Sequence, residues 1–482
     1  MDNHLDDWII EADITGMQAE MAAGKVTAED LVNLYLERIR KYDSVLRSVL
    51  EINPEAVDIA RTLDQERKDK GPRGPLHGIP VLLKDNIDTH DAMHTSAGSL
   101  ALAASIAPED SYVAARLRAA GAVLLGKTNM TEWANFMSPT MWAGYSARGG
   151  LVLNPYGPGE LFIGGSSSGS AAAVAANLGA VAIGTETSGS IIGPAGRNCL
   201  VGLKPTAGLI PSTGIIPITY SQDCAGPMTR TVTDTAILLG ALAVEGKPQD
   251  YRPYLKREAL QQTRIGIPRF YYQDLDEARL AIIEEAISQL EAQGAVIIDP
   301  VYLPCQDMEW DGNVMRYEFK AALNSYLGKL PNDVPVHSLT EVIAYNNQHG
   351  EAALKYGQDT LVWSEETSGT LTEEVYLEGR RKDLYMSREQ GIDHALQSHQ
   401  LDALLFLDDE GGADIAARAG YPSITVPGGF AATGVIAPGG YSTKGHQGIT
   451  FVGTAFSEPV LLGLAYAYEQ ASGHRVPPKM ED

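Results

Sequence analysis

Cysteine is scarce in this chain. The three present, Cys199, Cys224 and Cys305, are odd in number and widely spaced, which supports neither a disulfide framework nor a cysteine-built zinc site. Long apolar runs are missing. No segment approaches the ~20 apolar residues that a membrane helix needs, and the opening MDNHLDDWIIEADITG is acidic, without an apolar core of signal length. A cytoplasmic protein with no membrane partner is expected. Basic residues are few: 37 Lys and Arg stand against 61 Asp and Glu, for a net charge of −24. That surface repels phosphate backbones and anionic lipid, so nucleic acid is not an expected partner. A G-x-x-x-x-G-K-[ST] loop is absent, and so is a G-x-S-x-G elbow at Ser190, which leaves a Ser-His-Asp triad without an anchor. His90 and His94 stand four apart with no acidic third ligand placed by a motif, so no metal site is expected.

What the chain does have is glycine, 49 residues of it, and 44% apolar side chains, enough for a sizeable core. The densest glycine lies in GGSSSGSAAAVAANLGAVAIGTETSGSIIGPAG, Gly164 to Gly196. A flexible linker is the ordinary reading of Gly and Ser at this density. Here the residues between two Gly/Ser turns are patterned. Ser170 to Leu178 is Ala-rich and helix-forming, with Gly179 where a helix C-terminal glycine would stand. Ala180 to Ile183 is a short apolar strand. Ser166 falls in the first turn and Ser190 in the second, so a rigid helix–strand unit can bring the two serines face to face.

Elsewhere, Thr27 and Asp30 resemble a capping box before a helix with Leu31, Leu34, Tyr35, Ile39 and Tyr42 at helical spacing. A second helix is expected over about Pro54 to Lys68, then the strand IPVLL ending at Lys84. Helix–Gly–strand order recurs through Gly121 and Gly294, which argues for an α/β domain with a mixed, mostly parallel twisted sheet and helices on both faces. No linker divides the chain, so residues 1–482 read as one domain. Its core spans 60–300, a polar and mostly helical insertion covers one face from about 303 to 395, and 396–482 return to the sheet. Ser457 is a plausible cap for a last helix ending near Gly473.

Three side chains could do chemistry. Gly189 allows a tight backbone at T-S-G-S, where the N–H groups of Thr187, Ser188, Gly189 and Ser190 could converge as an oxyanion hole. Ser166 follows Gly164 and Gly165 in a turn that a phosphate could also occupy. Lys84 ends a buried strand, and burial lowers a lysine pKa toward that of a base near neutrality; pairing with Asp85 or snorkelling to the surface is the ordinary alternative. Between Asn129 and Tyr145 lie Met130, Trp133, Phe136, Met137, Met141, Trp142 and Tyr145. Part of this stretch is read as an apolar pocket wall with Asn129 and Glu132 as polar guides. Asn129, Met130, Trp133 and Gly165 are the expected substrate contacts.

Taken in order, TAEDLVNLYLERI, GIPVLLKDNIDT, GAVLLGKTNMTEWA, GGSSSGSAAAVAA, GTETSGSIIGPA, VGLKPTAGLI, AGYPSITVPGG and GITFVGTAFSE resemble the amidase signature family over nearly the whole chain. The resemblance implies the fold of that family and a serine hydrolase with Ser190 as nucleophile, Ser166, after a cis peptide bond, as bridge, and Lys84 as base. It implies no cofactor, a small-molecule amide substrate, and a chain working as monomer or homodimer. The family often has D-T-G-G-S-I-R where this chain has Glu186, Ser188 and Ile192. Glu186-Thr187, SARGG at 146–150 and EFKAALNSYL at 318–327 are similar to its bacterial peptide amidases rather than to an amidotransferase A-type subunit working in a multi-chain complex, and an apolar pocket lining would suit amides with a hydrophobic or aryl group, such as C-terminal peptide amides, anilides or related carbamates.

Overall fold

Local signals near the start of the chain act as written. Thr27 takes an N–H bond from Asp30 while Asp30 bonds back to Thr27, and this reciprocal cap opens the helix Ala28–Leu46. The computed structural model describes residues 8–480; the acidic start at 1–7 and residues 481–482 lie outside the described residues. The next helix, Ala56–Lys70, sits two residues later than its composition suggests.

The strands, in chain order, are β1 Val49–Ile52, β2 Pro80–Lys84, β3 Val123–Thr128, β4 Tyr145–Ser146, β5 Gly150–Leu151, β6 Val181–Glu186, β7 Val201–Lys204, β8 Cys224–Thr229, β9 Arg264–Gly266, β10 Val296–Ile298, β11 Ala403–Leu407, β12 Ser423–Ala431 and β13 Gly445–Val452. Eleven of them form one sheet in the order β1-β3-β2-β6-β8-β7-β12-β13-β11-β9-β10, with β4 and β5 apart as a small hairpin. The protein is thus a single large α/β domain with a mixed sheet flanked by helices. Parallel pairing occupies the two flanks, β3-β2-β6 and β11-β9-β10. The centre, from β6 to β11, is antiparallel, so the balance is nearer even than the helix–Gly–strand repeats suggest. Those repeats govern the flanks, where the helices Tyr112–Ala119 and Glu277–Ala292 lead into β3 and β10. In the centre β7 runs to β8, and β12 to β13, through loops, which allow antiparallel neighbours.

Two local expectations need correction. The Ala-rich helix spans Ser168–Ala175, and the left-handed residue after it is Asn177 (φ 57°), not Gly179. Asn tolerates that conformation. Gly179 is small for another reason: a Cβ there would lie 2.7 Å from Leu82 of β2. Ser457 precedes the last helix, Glu458–Ser472, but its hydroxyl does not cap it.

The helices of the 303–395 stretch, among them Asn313–Leu327, Leu339–His349, Asp359–Glu365 and Glu374–Ser387, have a core of their own. Phe319, Leu323, Leu327, Leu339 and Leu361 pack with Met130, Trp133, Met137, Ile216 and Ile218 from the sheet-bearing part. The helical layer therefore sits on the C-terminal side of β3 and on the loop between β7 and β8.

Candidate active site

β2 and β6 are parallel neighbours, with Leu83 opposite Ile183. Their C-terminal ends lie side by side, the usual place for a site in such sheets. Lys84 is the last residue of β2 and is fully buried. It leaves Asp85 alone: that carboxylate accepts bonds from Ser96, Gly98 and Arg148. The Lys84 ammonium points to the neighbouring strand and the first serine turn. Its Nζ donates to Ser166 Oγ at 2.8 Å, to Ser167 Oγ at 2.9 Å and to the Thr185 carbonyl at 3.0 Å. These partners are neutral. Burial pushes the lysine down to about 7, against the pull of the Asp223 and Glu186 carboxylates.

The first turn is held by close packing. Gly164 has φ +74°, and a Cβ on it would press on Pro194 at 2.8 Å. The Gly165–Ser166 peptide bond is cis. Gly169 lets the helix Ser168–Ala175 lie against the carbonyls of Asn129 and Ser48, which a Cβ would meet at 2.3 and 2.4 Å. The turn is tied to the second by the Ser167 N–H bond to the Ser190 carbonyl, 3.1 Å.

The second turn follows β6. Gly189 takes φ +78°. Glu186 Oε2 accepts the N–H groups of Ile191 and Ile192 at 2.7 and 2.9 Å, folding the chain back over the end of its own strand. Thr187 Oγ1 donates to Asp223 at 2.7 Å, and Gln222 donates to the Thr187 carbonyl at 3.3 Å. No described residue accepts a hydrogen bond from the N–H groups of Thr187, Ser188, Gly189 or Ser190. Four free donors on a tight turn can bind a negative oxygen. Ser190 is buried to 7% exposure at the edge of a cavity. Its hydroxyl has no bonded partner among the described residues. In particular no hydrogen bond joins it to Ser166, so the structure forms the Lys84–Ser166 contact and leaves Ser190 on the adjoining turn.

The cavity, about 360 Å³, is bordered by Gly164, Gly165, Thr187, Ser188 and Ser190 on the turn side and by Phe136, Met141, Trp142, Phe162, Ile218, Met315 and Tyr441 on the apolar side. Of the expected substrate contacts, Gly165 borders it. Asn129, Met130 and Trp133 do not. The Asn129 amide is spent on the Arg47 carbonyl (3.0 Å), the Met130 N–H (2.8 Å) and Ser146 Oγ (2.7 Å). Met130 and Trp133 are buried in the core shared with the helical layer. Glu132 is buried too, its carboxylate on the Ala147 N–H at 2.7 Å. Sequence reasoning missed Phe162, Ile218, Met315, Asp409 and Tyr441. They come from distant segments, and no spacing links them. Asp409 is an acid on the cavity wall whose carboxyl burial pushes up to about 6, against the nearby Arg197.

A buried lysine at a strand end, a hydroxyl bonded to it and a second serine on a turn of free N–H groups define an α/β protein equipped for acyl chemistry. The Amidase family profile matches residues 30–462. A probable amidase of Arabidopsis thaliana is 38% identical over 98% of this chain and 92% of its own length. The crystal structure of a peptide amidase from Stenotrophomonas maltophilia superposes with TM-score 0.88 at 42% identity, covering 98% of this chain and 99% of that one. The A-type chain of a glutamyl-tRNA(Gln) amidotransferase from Methylococcus capsulatus is 32% identical over 94% of this chain and 96% of its own length. The chain belongs to the amidase signature family, and it is a hydrolase of that family.

Proposed function

We propose that this protein hydrolyses amides bearing an apolar or aryl group, such as C-terminal peptide amides, anilides or related carbamates, with Lys84, Ser166 and Ser190 as a proton relay and nucleophile. The observation that carries the reading is the buried lysine contact: an amine pushed down to about 7, 2.8 Å from a serine hydroxyl. A protonated lysine could only donate to Ser166; a neutral one can accept its proton. As substrate enters, the Ser190 side chain turns toward Ser166 and gives it a proton while Ser166 gives its own to Lys84. Catalytic hydrogen bonds often close only with substrate bound. The Ser190 Oγ–C bond forms, and the carbonyl oxygen becomes an oxyanion held by the N–H groups of Thr187 to Ser190. The proton then returns through Ser166 to the amide nitrogen, the C–N bond breaks and the amine leaves. Water repeats the sequence on the acyl-serine and releases the acid.

The aromatic side of the cavity supports a hydrophobic substrate, and the likeness to a peptide amidase supports a carboxamide at a peptide end. Purified protein, with no other chain added, is assayed on a peptide amide, an anilide and glutamine. Release of ammonia or aniline with Ser190 acylated, seen by intact-mass analysis, is expected. Activity on glutamine alone, and only after partner chains are added, would instead place the chain with amidotransferase A-type subunits.

A further inference from the structure

Helix Asn313–Leu327 carries a buried acid that the chemistry above does not use. Glu318 is 1% exposed. Its Oε2 accepts from the Tyr220 N–H at 2.9 Å, the Ser221 N–H at 3.0 Å and Ser221 Oγ at 2.9 Å, and its Oε1 accepts from Tyr376 Oη at 2.9 Å. Four donors converge on the carboxylate, three on Oε2 and one on Oε1. One oxygen thus serves the loop between β7 and β8, and the other ties down the helix Glu374–Ser387.

That loop leads to the second serine turn. Asp223 closes it by accepting the Ile218 and Thr219 N–H groups at 2.7 and 3.0 Å, and its other oxygen takes the Thr187 hydroxyl at 2.7 Å. Gln222, between Ser221 and Asp223, donates to the Thr187 carbonyl. Ile218, which opens the 218–223 stretch of the loop, and Met315, one turn before Glu318, both border the cavity. Glu318 therefore stands behind a segment that grips Thr187 at two points and supplies part of the pocket wall.

We infer that Glu318 is a positioning residue: it fixes the 218–223 loop from the helical layer, and through Gln222 and Asp223 it sets Thr187 and the N–H groups that receive the oxyanion. The inference rests on the active-site reading above. Its mechanical sense is that the helical layer does more than roof the cavity. It holds the donor turn in register with the nucleophile, and misplacement by about 1 Å there costs as much as about 10²-fold in rate.

The test measures kcat and KM on a peptide amide, the rate at which a fluorophosphonate probe labels Ser190, and Tm, for Glu318→Ala, Glu318→Gln, Tyr376→Phe and Ser190→Ala. Glu318→Ala is expected to lower kcat and the labelling rate by about ten- to a hundred-fold, with a smaller change in KM. Glu318→Gln keeps an oxygen for the loop and is expected to restore most of the rate. Tyr376→Phe removes only the Oε1 bond and is expected to lower Tm without lowering kcat. If Glu318→Ala does not fold, Ser221→Ala takes its place, with a several-fold loss in labelling rate expected. An acid that only supports the fold would lower Tm in Glu318→Ala and leave kcat and labelling of the folded protein unchanged, and that result overturns the inference while the active-site reading survives. Activity retained in Ser190→Ala overturns both.

Discussion

The two serine turns and the segment from Asn129 to Tyr145 border the same cavity, yet they obey different rules. From Ser166 through Thr187 every residue is buried, and around the first turn the side chains are small because backbone lies on backbone: Gly169 against Asn129 and Ser48, Gly164 against Pro194. In the 129–145 segment the side chains are large, and neighbours part company. Met130, Trp133 and Met137 enter the core under the helical layer, while Phe136 and Met141, packed on the rim of that core, and Trp142 border the cavity. Where backbone geometry sets the requirement, residue type discloses the site. Where an apolar ring is required, core and cavity accept the same residues.

The strongest way to break this contrast is to remove the serines and the lysine. Ser190→Ala should lower kcat by about 10⁵- to 10⁶-fold, with Tm nearly unchanged, since its hydroxyl bonds to no described residue. Lys84→Ala should come close to that loss, and Ser166→Ala should cost several orders of magnitude. Steady-state kinetics on a peptide amide and a thermal melt check all three. Full activity of Lys84→Ala at neutral pH would contradict the relay.

The pH profile comes next. A base must be neutral, and burial has pushed Lys84 down to about 7 while Asp223 and Glu186 pull it up. As pH falls through that value the amine gains a proton, so kcat/KM should rise from acid to alkaline pH with its midpoint near neutrality. Below the midpoint one required deprotonation predicts about a ten-fold loss per pH unit. An uncharged substrate keeps the titration of Asp409 in the cavity wall out of the binding step. A rate that stays flat down to about pH 4 would rule out Lys84 as the base.

A third measurement separates the two kinds of side chain within the aromatic segment. Met130 is fully buried, so Met130→Ala should cost about 2–5 kcal/mol of stability in denaturant unfolding. Its kcat and KM at a temperature far below the melt should match the unmodified protein. A specific rise in KM without loss of stability would return Met130 to the pocket wall.

Much of the fold was legible. The Thr27 capping box, the strand ending at Lys84, the breaks at Gly121 and Gly294 and the helical nature of 303–395 each rest on short-range chemistry that the surroundings do not override. The meeting of Lys84 with Ser166, 82 residues apart, was expected only from the family resemblance. The antiparallel centre was not legible, since strand order there depends on which loops run without a helix. Neither was the wall. Trp133, Ala134 and Asn135 all take left-handed φ, at 49°, 54° and 71°, so the chain reverses its helical sense in mid-segment and no 3.6-residue spacing can say which ring faces where. Arg197, Asp223 and Asp409 carry no motif at all, and Glu318 enters only as the first residue of EFKAALNSYL, with no role attached. Their importance arises from contacts made across long sequence separations, such as 97 residues between Ser221 and Glu318.

The smallest expected effect tests the cavity side of the same segment. Trp142 is half-buried, meets Phe162 edge-on at 6.2 Å, and Phe162 stacks on Tyr441 at 4.0 Å. The three rings make one wall. Removing the first should leave the others in place and expose apolar surface that a bound aryl group would otherwise cover. At about 25 cal/mol per Å², a ring face of a few tens of Å² is worth roughly 1 kcal/mol, or about a five-fold rise in KM. Trp142→Ala should therefore raise KM for an anilide several-fold, leave kcat within about two-fold, and leave KM for a short aliphatic amide unchanged, since the short substrate does not reach the wall. An equal rise for both substrates would mean that Trp142 shapes the turn beside Ser190 rather than the pocket. The line between the legible turns and the illegible wall would then run one residue further out, through Phe162.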